Sequence, residues 1–153
     1  MNLEILTHTV LPKSIHGISP RKIMGDSEWN KIKKEKQKIA GHHCMCCGEY
    51  VPHIPGNYLE CHEIYSINTE KKEFELKDIV CICHKCHEFI HLGRLQMLLK
   101  EGKITQEYYN DILKRGENLL KSSGLKKNNL PLNEINNPNW VLVYKNKKYS
   151  NKI

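Results

Sequence analysis

Long apolar runs are missing from this chain: nowhere do hydrophobic residues approach the roughly 20 in succession that a bilayer-crossing helix needs, so a membrane-embedded protein is not expected. Phe and Trp are scarce too, two of each among 153 residues, and hydrophobic content is 39%. A chain of this length can still bury one core, but little apolar surface is left over, so one compact domain with polar extensions is expected. No secretory leader pattern opens the sequence, which makes a cytoplasmic location the expectation. Internal repeats are absent as well. A disulfide framework is disfavoured on different grounds. All seven cysteines fall between Cys44 and Cys86, an odd and clustered set whose Cys-x2-Cys spacing suits metal binding in a reducing compartment.

Charge is what the chain has in excess, and it is unevenly placed. Lys and Arg against Asp and Glu run 8 to 4 over residues 1–43, 7 to 11 over 44–113 and 9 to 2 over 114–153. Basic flanks around an acidic middle rich in Cys and His suit a protein that holds a polyanion while concentrating a cation at one point. Solvated, solubilising flanks account for the same numbers equally well.

The middle carries the chemistry. Cys44-Met45-Cys46-Cys47-Gly48 and Cys83-His84-Lys85-Cys86 are two Cys-x2-Cys knuckles, which together offer four thiolates to one tetrahedral zinc ion. Gly48 lets the first knuckle turn so that backbone N–H groups face sulfur. Cys46, beside Cys47, is awkwardly placed for the same ion and reads as a buried thiol, while Cys61 and Cys81 sit in apolar strand-like stretches as small buried side chains.

Local patterns organise the rest. Leu3–Val10 is β-prone and reads as an edge strand, residues 12–25 as a loop, and Asp26 or Ser27 caps a helix to about Ala40 with Trp29, Ile32 and Ile39 inward and five lysines outward. Tyr58–Tyr65 and Phe74–Ile82 form a hairpin around a polar turn. From His84 the period becomes helical up to about Lys100, with His84, His87 and His91 recurring at i, i+3 and i+7. Thr105 caps a further helix to Ser122, residues 126–138 read as a linker or ordered loop, Trp140–Tyr144 as a short strand beside the N-terminal one, and Lys145–Ile153 as a mobile basic tail. The expected organisation is therefore residues 1–41 as strand, loop and Lys-rich helix, 42–100 as the zinc-stapled core, 101–124 as an accessory helix and 125–153 as a basic extension with a short strand.

Hairpin, knuckle and helix in this order, with Leu59-Glu60-x-His62-x-Ile64 and Val80-Cys81-x-Cys83-x2-Cys86-His87-x3-His91, resemble the HNH, or ββα-metal, endonuclease family in its subgroup with a four-cysteine zinc site. The resemblance covers residues 42 to about 93. It implies an α+β fold with a zinc-stapled ββα-metal core, flanking helices and short terminal strands. It implies Zn2+ on Cys44, Cys47, Cys83 and Cys86, and Mg2+ or another divalent cation at a separate catalytic site. By position, His62 and His87 become ligands of that cation, His91 joins them or contacts a phosphate, Glu63 stands where the family has its general-base His, and Asp78 where it has its Asn. The implied substrate is nucleic acid, with double-stranded DNA expected, in a setting such as a phage or other mobile element. Three readings stay open: a metal-dependent endonuclease with Glu63 or a re-registered His62 as base, an inactive zinc-stabilised module that binds nucleic acid, and a regulator or inhibitor acting on a protein partner. A homodimer is compatible with each.

Overall fold

The computed structural model describes residues 1–8 and 10–151. Thr9, inside the predicted N-terminal strand, and residues 152–153 of the predicted basic tail lie outside the described residues. The fold is α+β. In chain order it comprises a 3-10 turn at Leu3–Thr7, another at Lys13–Ile15, α1 (Pro20–Met24), α2 (Asp26–Ala40), β1 (Glu60–Asn68), β2 (Glu73–Ile82), α3 (His84–Ile90), α4 (Leu92–Lys100), α5 (Gln106–Ser122), α6 (Leu132–Ile135), β3 (Val141–Tyr144) and β4 (Lys147–Tyr149). The strands make one sheet in the order β1-β2-β3-β4.

Two compact units are present, each woven from three segments. The first unit takes in residues 1–10, 40–60 and 81–129. Its helices close over Ile5, Leu6, Phe89, Leu95, Ile112 and Leu120, all buried. Leu3–Thr7 is a 3-10 turn rather than the expected strand, because the Asn2 side chain accepts from Glu4 N at 3.1 Å and caps it. Asn2 N donates to Met45 O at 2.9 Å, so the N-terminus is tied to the first knuckle and does not pair with β3. The helix expected from His84 to Lys100 is interrupted at His91, whose backbone (φ −99°, ψ 53°) ends α3 and starts α4. No Pro marks that break and Gly93 falls after it, inside the first turn of α4, so hydrophobic period alone runs straight through it. Helix α5 begins as expected, Thr105 accepting from Tyr108 N at 3.0 Å.

The second unit takes in residues 11–39, 61–80 and 130–153. Its centre is Ile15, Phe74, Trp140 and Leu142, with the Phe74 and Trp140 rings edge to face at 5.2 Å. β3 runs parallel to β2, Phe74 opposite Leu142, and antiparallel to β4, so the strand at Trp140–Tyr144 finds partners other than the expected N-terminal one. Lys145 (φ 47°) and Asn146 (φ 65°) form the two-residue turn that hairpins favour, and the tail expected to be mobile forms β4 up to Tyr149. The region expected as loop, 12–25, holds the turn at Lys13–Ile15 and helix α1, which Ser19 caps and Pro20 starts. Helix α2 spans its expected range with Trp29 buried, but Ile39 is 65% exposed rather than inward.

Candidate metal centre

Sequence spacing puts four sulfurs at one point of the first unit. Cys44 and Cys47 sit in the first knuckle, where Gly48 (φ +81°) turns the chain and returns its N–H to Cys44 O at 2.8 Å. Met45 N donates to Cys81 O at 2.9 Å, strapping that knuckle to the chain just ahead of Cys83, which precedes α3, and Cys86 in its first turn. The four Sγ atoms lie within 4.8 Å of one another, with Cys44–Cys86 at 4.0 Å and Cys47–Cys83 at 3.8 Å. A tetrahedron with Zn–S bonds of about 2.3 Å has sulfur–sulfur edges of roughly 3.8 Å, so the donor set fits a zinc ion. The sulfurs also dispute protons. Hydrogen bonds from Cys44, then Cys83 and Cys86, hold the Cys47 thiol far below its ordinary range, while competition with Cys44, Cys46 and Cys47 pushes Cys86 far above it. Thiols crowded in this way give up protons readily to a divalent cation that binds them all.

N–H groups surround this cluster. Cys44 Sγ accepts from Cys47 N at 3.4 Å and Cys83 N at 3.2 Å. From α5, Arg115 donates Nη1 to Cys86 Sγ at 3.4 Å and Nη2 to Cys47 Sγ at 3.2 Å, and Glu49 pairs with the same guanidinium at 3.6 Å. Nothing in the sequence pointed to Arg115; a basic residue mid-helix looks like any solvated one. Cys46 is fully buried, as expected.

A second polar network in the same unit centres on Glu60. Its Oε1 accepts from His87 Nδ1 at 2.8 Å and its Oε2 from His84 Nδ1 at 2.9 Å. Burial works to raise the Glu60 pKa, but the bonds from His87 and His84 outweigh it, so the carboxyl is held below its usual range and stays ionised. An ionised acceptor makes His87 Nδ1 the protonated nitrogen and puts the ring's lone pair on Nε2, the orientation also found in metal-binding histidines. One turn on, the His91 ring stands 4.8 Å from that of His87, edge to face. Burial first, and then the charges of His87, Arg94, Lys127 and His8, lower the His91 pKa to about 4, so its imidazole is neutral at physiological pH. His84, expected to matter only through its backbone, also pairs through Nε2 with buried Glu88, whose Oε1 accepts from Tyr108 Oη at 3.1 Å. The i, i+4 spacing of His84 and Glu88 is the signal that could have found this pair.

The other expected site residues lie in the second unit. His62 is buried in β1 and Glu63 half-buried beside it; alternation along the strand puts His62 on the face of Glu60 and Glu63 on the other. Asp78 in β2 is half exposed, and its carboxylate accepts from Lys36 Nζ at 3.1 Å and from Ile79 N at 2.7 Å. No helix among the described residues is long and apolar enough to cross a membrane. Comparison with protein-family models, with curated proteins and with solved structures finds no match to this chain.

Proposed function

We propose that the chain is a metal-dependent endonuclease of the HNH type that hydrolyses phosphodiester bonds of nucleic acid, with double-stranded DNA as substrate and His62, His87 and His91 holding an exchangeable divalent cation such as Mg2+. The observation that carries this proposal is the Glu60 carboxylate on His87 Nδ1, because an oriented imidazole with its proton fixed on one nitrogen is prepared to donate an electron pair from the other. His91 stands beside it with a neutral ring. His62 comes two residues after Glu60 on the same face of β1, which supports a third imidazole in the set.

When bound, the cation supplies charge stabilisation to the scissile phosphate and the departing oxygen. The residues of this chain do the rest. Glu60 holds His87 in place, and the two ring nitrogens of His84, one on Glu60 and one on Glu88, brace that carboxylate from behind. Glu63 stands at the position of the family's base; a carboxylate accepts a proton less readily than imidazole near neutral pH, so this assignment predicts slow cleavage. Lysines of α2 and of the basic C-terminal segment would hold the phosphate backbone.

A plasmid-nicking assay with Mg2+ or Mn2+ tests the proposal. Nicking by the wild type, abolished in His87→Ala and reduced about 10- to 100-fold in Glu60→Gln, is the expected result. Intact plasmid with every divalent metal tried overturns it. The capture of Asp78 by Lys36 favours a second reading, a zinc-stabilised module that binds nucleic acid without cutting it. Salt-dependent gel retardation with no nicking would select that reading.

A further inference from the structure

The two knuckles share a Cys-x2-Cys spacing, but the backbone leaves them in different conformations. After Cys47 the chain turns at Gly48, and backbone amides are free to face sulfur: the Glu49 amide hydrogen-bonds Cys47, and the Cys47 amide reaches Cys44 Sγ at 3.4 Å. After Cys86 the chain is already helical. The Cys86 amide serves Cys83 as the Cys47 amide serves Cys44, and His87 N bonds Cys83 O at 3.0 Å as Gly48 N bonds Cys44 O at 2.8 Å, but Glu88, the counterpart of Glu49, lies inside α3, where its amide belongs to the helical ladder. Cys86 therefore needs a donor from elsewhere. The guanidinium of Arg115 is at that corner, with Nη1 on Cys86 at 3.4 Å and Nη2 on Cys47 at 3.2 Å, and within 4.0 Å of Cys83. Glu49 at 3.6 Å steadies the guanidinium from the other side.

We infer that Arg115 completes the tetrathiolate centre as a positioning and charge-balancing residue, setting how firmly the metal is retained and how well Cys86 and Cys47 resist electrophiles. This inference rests on reading the four thiols as a metal site. Four thiolates around one divalent ion carry a net charge of −2, and a fixed cation with two parallel N–H groups lowers the cost of that excess while taking up the sulfur lone pairs that would attack an electrophile. Lysine supplies the charge without the fork, so it replaces only part of the effect.

The test uses the full-length chain loaded with Co2+ and, separately, with Zn2+. Intense sulfur-to-cobalt absorption with one metal per chain is expected of the wild type; its absence overturns the metal site itself and with it this inference. Given that absorption, Arg115→Gln should transfer Zn2+ to a chromogenic chelator about 10- to 100-fold faster than the wild type, with Arg115→Lys between the two. Limited iodoacetamide labelling read by mass spectrometry should show Cys86 and Cys47 gaining label in Arg115→Gln before Cys44, whose sulfur is served by backbone amides. Equal transfer rates, or labelling that rises uniformly over all four cysteines, overturns the assignment to Arg115 while leaving the metal site standing.

Discussion

The two units are held by opposite means. In the first, sulfurs from two knuckles 36 residues apart in sequence meet within 3.8 Å, and the polar network around Glu60 lies in the same unit. In the second, four apolar side chains, Ile15, Phe74, Trp140 and Leu142, meet and bring together chain segments more than a hundred residues apart. A small core can fix distant segments either around a sulfur cluster that could hold a metal or around one well-placed Trp; this chain has the donor set for the first and Trp140 for the second. Coordinate bonds are directional and set ligand positions to fractions of an ångström, whereas burial sets only proximity. The four-sulfur corner leads directly into the helix that carries His87.

The comparison breaks most decisively at sulfur. A structural zinc ion contributes on the order of 10–16 kcal/mol to the folding of small domains, against a total stability of about 5–15 kcal/mol. Cys83→Ser, or chelation of the wild type, should therefore abolish metal binding and remove amide exchange protection across residues 40–60 and 81–129. Hydrogen exchange read by mass spectrometry checks this, and protection retained there after the metal is gone would show that the first unit does not depend on its sulfurs.

The second unit breaks at its aromatic centre. Trp140 is fully buried against Phe74, and Ser14 Oγ donates to its carbonyl at 2.8 Å. Trp140→Ala should cost about 3–5 kcal/mol in denaturant unfolding. Metal content per chain should stay the same, which separates this loss from the previous one.

Legibility in the sequence divides along the same line. Cys-x2-Cys spacing reports sulfur geometry directly, so Cys44, Cys47, Cys83 and Cys86 could be assigned to one cluster before any coordinates, and the Thr105 cap and the reach of α2 came from capping residues. The second unit was far less readable. Its parallel β2–β3 pairing is nonlocal, and its last hairpin turns on Lys145-Asn146, a weaker signal than Asn-Gly. Leu3–Thr7 looked like a strand because its apolar residues are β-prone, yet one Asn2 cap and the burial of Ile5, Leu6 and Thr7 suffice for a 3-10 turn. In the site itself, ligand-type residues were visible and their supports were not. Glu60 was readable only as a neighbour of His62 on one strand face, not as the partner of His84 and His87; His84, Glu88 and Arg115 act through side-chain contacts, of which only the i, i+4 pair His84–Glu88 left a trace in the spacing.

A smaller effect sharpens the contrast, because the first unit is not held by sulfur alone. Gly116 lies inside α5, buried, where a glycine costs helix stability relative to alanine and needs another justification. That justification is Phe89: a Cβ on Gly116 would fall within the Phe89 ring, and Phe89 belongs to the same short helix as Cys86 and His87. Gly116→Ala should therefore destabilise by about 1–3 kcal/mol despite its better helix propensity, as α5 is forced away from α3. If the seam between these helices also carries Arg115 to the sulfurs, the same variant should speed zinc loss modestly, by less than Arg115→Gln does. An alanine variant as stable as the wild type, or more so, would mean that Phe89 can move aside, and the apolar contribution to this unit would then be smaller than the close approach of the two helices implies.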